Sequence, residues 1–161
     1  MGDWTGFFAA ELGAAAALAG LVMVAISINL GRILADPVLP GRAVETLVLP
    51  TGVLVAASYA LVPAQPPVVL GVEIALTGIA MWVVPAWLQR RVRRSQSRGA
   101  ALRNFLPRVL LVQFSSLPIV VAGVLICLGS DNAFYWMVPG IVTSLIATVI
   151  NAWVLLVEIL R

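Results

Sequence analysis

Four carboxylates and three side-chain amides interrupt otherwise apolar sequence. Glu11, Glu45, Glu73 and Glu158 each stand within or at the edge of a long apolar run, as do Asn29, Gln113 and Asn151. A carboxyl group in such a place can bind a cation, share a proton with a second acid, or persist as a neutral hydrogen-bonded group. Composition closes most other chemistry. The chain has 161 residues, its ten basic residues are all arginine, and it contains neither lysine nor histidine. That excludes Schiff-base lysines, histidine ligands to zinc or haem, and every nucleophile–histidine pair. Cys127 is the single cysteine, so an intramolecular disulfide and a CxxC redox pair are excluded too. No enzyme activity, metal centre or cofactor is expected from these residues.

The elements that must position these groups are membrane spans. Hydrophobic residues make up 61% of the chain and charged residues 11%, and the mean hydropathy is +1.06. A soluble domain carries roughly 25% charged residues. Apolar runs at about 7–31, 43–62, 68–88, 109–128 and 134–160 each approach or exceed the ~20 residues that an α-helix needs to cross a bilayer. Turn sequences separate them: Ala35–Gly41, then Pro63–Pro67 with three prolines in five residues, then Gly129–Asn132. Proline-rich segments cannot continue a helix. The spacing therefore predicts one all-α domain over 1–161, a bundle of five transmembrane helices, with an arginine-rich loop over 89–108.

Orientation follows from the arginines. Arg32 and Arg42 flank the first connection, seven arginines from Arg90 to Arg108 crowd the third, and Arg161 ends the chain. With five spans all ten fall on one side; with four or six they divide. By the positive-inside rule that side is cytoplasmic, which puts the N-terminus outside and the C-terminus in the cytoplasm. Aromatic clusters support this: Trp4, Phe7 and Phe8 open the first span and Phe134, Tyr135 and Trp136 the fifth, where amphipathic rings favour the interface. Arg90, Arg91, Arg93, Arg94 and Arg98 are read as contacts to anionic headgroups of the inner leaflet. No aromatic residue interleaves them, so a nucleic-acid platform is not expected.

The fifth span carries the clearest polar pattern. Gly140, Ser144, Thr148, Asn151, Leu155 and Glu158 recur at steps of four or three residues. At 100° per residue they fall within an arc of about 80°. Such a stripe faces protein or water rather than lipid: it is read either as a hydrogen-bonded packing seam within the monomer or as a water-filled path, for which Ser144, Thr148, Asn151 and Glu158 are the lining candidates. Asn29, Glu45 and Gln113 fall towards the depth of Asn151 and are candidates for an inner polar layer. Glu45, three residues from Arg42, is expected at the interface and paired with it. Glu11 and Glu73 lie towards the outer ends of their spans, Glu73 roughly 9 Å below its helix end, with no basic residue on that side. The first span is rich in small residues, and Ala16 with Gly20 forms a small-xxx-small pair suited to close helix approach. Pro50, Pro85, Pro118 and Pro139 free the carbonyls of Thr46, Met81, Phe114 and Tyr135. Pro118, just after Ser115 and Ser116, is the strongest hinge candidate.

The stretch Ala25–Leu34, followed by Pro40–Leu47, resembles small bacterial multi-pass membrane proteins. That resemblance implies a bacterial inner (cytoplasmic) membrane setting and no particular activity. The size and span count match the translocator-protein family, but the tryptophan- and proline-rich first loop of that family is missing. One cysteine likewise cannot supply the redox pairs of vitamin K epoxide reductase relatives. The leading functional expectation is a homo-oligomeric channel or pore for a small ion, a cation in the first place, with membrane lipid and further copies of the chain as partners. The alternatives are an accessory or regulatory subunit of a larger membrane complex, and an intramembrane carrier or enzyme using buried carboxylates.

The topology is tested with single cysteines in a Cys127→Ala background and an impermeant maleimide on intact cells. Asn132→Cys should label from outside and Ser97→Cys only after the membrane is opened. External labelling at Ser97→Cys reverses the orientation.

Overall fold

A helix satisfies its backbone donors and acceptors within one segment, which hydrocarbon demands because it offers no water as a substitute partner. Five apolar runs accordingly become five long helices. The computed structural model describes the backbone of residues 4–36, 39–93 and 98–160, and side chains outside 91–108 and 158–160. The helices are α1 (Thr5–Ile28), α2 (Leu30–Ala35), α3 (Leu39–Ala60), α4 (Pro67–Arg93), α5 (Arg98–Cys127) and α6 (Ala133–Leu160). All but the six-residue α2 are long and apolar enough to cross a membrane. There is no strand among the described residues.

The helix ends depart from the sequence boundaries for local reasons. The first span breaks at Asn29, whose side-chain amide donates to the Ala25 carbonyl at 2.9 Å while its backbone N–H bonds Ile26 at 3.2 Å. Asparagine competes with the helical ladder in this way, and the chain restarts as α2. The third and fourth spans run past their apolar limits. Helix α4 continues to Arg93 and α5 already begins at Arg98, so most of the expected loop over 89–108 is helical. Arginine, glutamine, leucine and alanine are all good helix formers, and hydropathy alone marks where the lipid ends, not the helix. Helix α5 stops at Gly129, whose φ of +73° suits glycine. The next N–H, of Ser130, bonds back to the Leu125 carbonyl at 3.0 Å and closes the end.

Successive spans pack as antiparallel neighbours, α3 on α4, α4 on α5 and α5 on α6, while α1 packs on α3 and α6 and completes the ring. Helix α3 also touches α6 across the middle and is the most enclosed span, with half of its membrane window buried. Lipid-facing surfaces are apolar, as with Leu21, Leu76, Phe114, Ile146 and Trp153, all exposed. The interior is small. Gly71 and Gly78 of α4 face Cys127 and Val120 of α5, and Gly123 faces Ala75. A Cβ on Gly123 would lie 2.5 Å from the Ala75 amide nitrogen and 2.7 Å from the Gly71 carbonyl oxygen. Small residues at this spacing let two backbones approach closely, the main source of helix adhesion where lipid is as apolar as leucine.

Gly123→Val forces α4 and α5 apart, because the obstructing atoms are backbone and cannot rotate away. A loss of about 1–3 kcal/mol is expected, seen as a lower unfolding temperature in detergent.

Candidate functional site

The buried core divides into two apolar clusters. The larger contains Leu49, Val53, Met81, Ile119, Ile141 and Ala147; the smaller, towards the arginine-bearing end, contains Val22, Ile26, Ile33, Ala43 and Leu155. Between them along α3 stand Glu45 and Thr46, and along α6 stand Thr148 and Asn151. This is the inner polar layer, with a membership that differs in part from the sequence expectation.

Its centre is Glu45, only 3% exposed. Its Oε1 accepts a hydrogen bond from the side-chain amide of Gln89 on α4, itself buried. Glu45 is therefore buried within the bundle, as expected of a member of the inner polar layer. Thr46 turns its hydroxyl onto the Arg42 carbonyl at 2.9 Å. Asn29 bonds its own helix and Gln113 is half-buried on α5. In the sequence Gln89 opens the arginine-rich segment and so reads as surface. A signal existed: Glu45 and Gln89 stand equally far, twenty-two residues, from Pro67, as antiparallel partners in a hairpin closed near that residue would.

The α6 stripe faces inward. Gly140, Ser144, Thr148 and Leu155 are buried within this one chain and Asn151 is half-buried; the Glu158 side chain lies outside the described residues. Ser144 donates to the Gly140 carbonyl at 2.7 Å and Thr148 to the Ser144 carbonyl at 2.8 Å. Each hydroxyl donor is thus spent on its own helix, the usual arrangement for serine and threonine inside helices. Gly140 packs directly on Ile119 and the Ser115 carbonyl of α5. The described part of the stripe is thus buried within the chain, with Gly140 against α5.

The outer carboxylates are not brought together. Glu73 on α4 accepts from the Gln65 side-chain amide in the preceding turn, whereas Glu11 is half-buried on α1, which packs on α3 and α6. What does converge at that end is aromatic. Trp4 meets Tyr135 edge-on with ring centroids 4.8 Å apart, and Phe8 meets Phe134 at 5.4 Å. These rings tie the start of α1 to the start of α6, and edge-to-face pairs contribute about 0.5–1.5 kcal/mol each beyond burial. At the opposite end Arg90 is exposed, as headgroup contact requires, while Arg91, Arg93, Arg94 and Arg98 have side chains outside the described residues. The described residues contain no group of histidine, cysteine or acidic side chains able to hold a metal ion.

Comparison with known proteins adds no relative: no family model, no curated protein and no solved structure matches the chain.

Gln89→Leu removes the amide donor from a buried carboxyl group and should destabilise the chain by about 1–3 kcal/mol. Adding Glu45→Leu should recover part of that loss, since two apolar side chains need no partner. Thermal unfolding of both variants in one detergent checks this, and additive losses would show that the two residues act independently.

Proposed function

We propose that this multi-pass membrane protein is an interaction subunit, whose α1 docks against a transmembrane helix of a larger membrane assembly. The proposed setting is the bacterial cytoplasmic membrane, with the N-terminus outside and the arginine-bearing end resting on anionic headgroups of the inner leaflet. One observation carries this reading. Gly6, Gly13 and Gly20 repeat every seven residues along α1, with Ala9, Ala10, Ala16 and Ala17 between them, and all seven are exposed. A Cβ on any of the three glycines would meet nothing within 4 Å.

Gly31 on the short α2 is equally open, but five glycines of the other spans are packed. At Gly52, Gly71, Gly78, Gly123 and Gly140 an added Cβ would collide with a neighbouring helix. A glycine inside a helix costs about 1 kcal/mol relative to alanine, and at those five positions close packing offsets the cost. On α1 nothing within the chain does. A heptad of small residues facing outward is the shape that a second helix fills. Helix α1 is also the least enclosed span, with 11% of its membrane window buried.

The face admits a second copy of the chain as well as a different protein, so the homo-oligomer stays within the proposal. A channel built from α6 stripes would require α6 to leave α3 and α5, which cover it. A carrier using Glu11 and Glu73 would need those carboxylates on helices that pack together.

Gly13→Leu with Gly20→Leu should not destabilise the isolated chain, and should stabilise it by about 1–2 kcal/mol, because each replaces an uncompensated helix glycine. The same pair should weaken assembly roughly tenfold, the scale of losing a tight helix contact. Native-lipid particles sized before and after the substitution report both effects. A wild-type chain that is monomeric there, or an assembly indifferent to the leucines, overturns the reading. Cation flux through liposomes containing the purified chain alone would restore the channel.

A further inference from the structure

Two proline breaks lie side by side where α5 meets α6. Gly140 packs on Ile119, so Pro139 and Pro118, each one residue earlier in sequence, fall within one turn of each other on adjacent antiparallel helices. Pro118 has no N–H to offer the Phe114 carbonyl, and Phe114 faces lipid, with 64% of its surface exposed. No water reaches such a carbonyl in hydrocarbon. The donor comes instead from the other helix: Thr143 Oγ1 lies 3.0 Å from the Phe114 carbonyl oxygen. The same hydroxyl is 2.6 Å from the Pro139 carbonyl and 3.2 Å from that of Gly140. It carries one proton for three acceptors. Whichever of its own carbonyls Thr143 chooses, the hydroxyl is satisfied; the Phe114 carbonyl depends on being chosen.

We propose that Thr143 is a latch across this paired break, and that α5 and α6 bend there when it lets go. Closed, the hydroxyl donates to Phe114 and holds the arginine-side halves of both helices in register. Open, it returns to the Pro139 carbonyl, and the halves beyond the break move relative to the outer halves, that of α5 held to α4 by the Gly71–Cys127 and Gly123–Ala75 contacts and that of α6 held to α1 by the rings of Phe134 and Tyr135. The neighbouring side chain fits a seam able to shift. Ser115 is fully buried beside Gly140, and its Oγ has no hydrogen-bond partner among the described residues, so a small displacement that brings it an acceptor is favourable.

The test is hydrogen exchange of the full chain in nanodiscs, read segment by segment. Thr143→Val should raise exchange about fivefold in 109–117 and 144–152, the factor for one interhelical hydrogen bond in a membrane, and leave 119–127 and 133–138 unchanged. Thr143→Ser keeps the hydroxyl and should behave as wild type. Pro118→Ala restores the backbone donor to Phe114, so Thr143→Val made in that background should have little further effect. An unchanged profile for Thr143→Val overturns the latch. So does a Thr143→Val effect of full size in the Pro118→Ala background, which would assign the hydroxyl to its own helix. A rise spread equally over both halves overturns the hinge.

Discussion

A carbonyl or amide turned towards hydrocarbon has no water to fall back on, and the arrangement of this chain follows from that constraint. It makes five apolar runs into helices rather than any other structure. It then decides where exceptions can stand. Asn29 ends α1 with its own amide on the Ala25 carbonyl. Ser116, Ser144 and Thr148 return their hydroxyls to the carbonyl one turn back. At Pro118, where the ladder itself is missing a donor, a hydroxyl on the adjacent helix stands in reach. Polar side chains inside the bundle are thus mostly instruments of backbone and side-chain satisfaction, and few are left over for chemistry.

With the backbone satisfied, adhesion between helices falls to close contact, and the glycines show how unevenly it is distributed. Helices α4 and α5 meet backbone to backbone through Gly71, Gly78 and Gly123, and α6 joins them through Gly140. Helix α1 is held differently, by the aromatic cluster at one end and by Phe8, Ala15, Val22 and Ile26 along its length. Its glycines point away from the bundle. The closest backbone approaches therefore lie among α4, α5 and α6, and the first span is the one with the least of its surface covered.

The buried pair of Glu45 and Gln89 is an exception to an otherwise largely apolar or self-satisfied core. Two polar side chains from different helices, placed between two apolar clusters, fix the register of α3 against α4 more sharply than apolar contacts, which tolerate sliding. A one-turn slip would leave a carboxyl group buried among apolar side chains, a penalty far above that of exchanging one aliphatic contact for another.

Composition and the spacing of apolar runs determined the fold class and the number of spans, because membrane helices must satisfy themselves within a contiguous segment and that requirement is local; they placed the turns at Pro63–Pro67 and Gly129–Asn132 but not the helical extent of 39–41, 89–93 and 98–108. The carbonyls freed by proline were legible for the same reason, Phe114 among them. Partners were not. The stripe on α6 announced that it faced something other than lipid, yet a helical arc cannot say whether protein of the same chain or a neighbouring subunit fills it; only the packing of α5 and α3 decided that. Gln89 looked like surface because arginines follow it, and its burial against Glu45 depends on a register set across twenty-two residues on either side of a turn. Glu11 and Glu73 shared a depth in the sequence, but depth is one coordinate of three, and the order of helices around the ring placed α3 between the helices that carry them. Side-chain pairing between spans is a property of angular position and register, which no single helix carries in its own sequence.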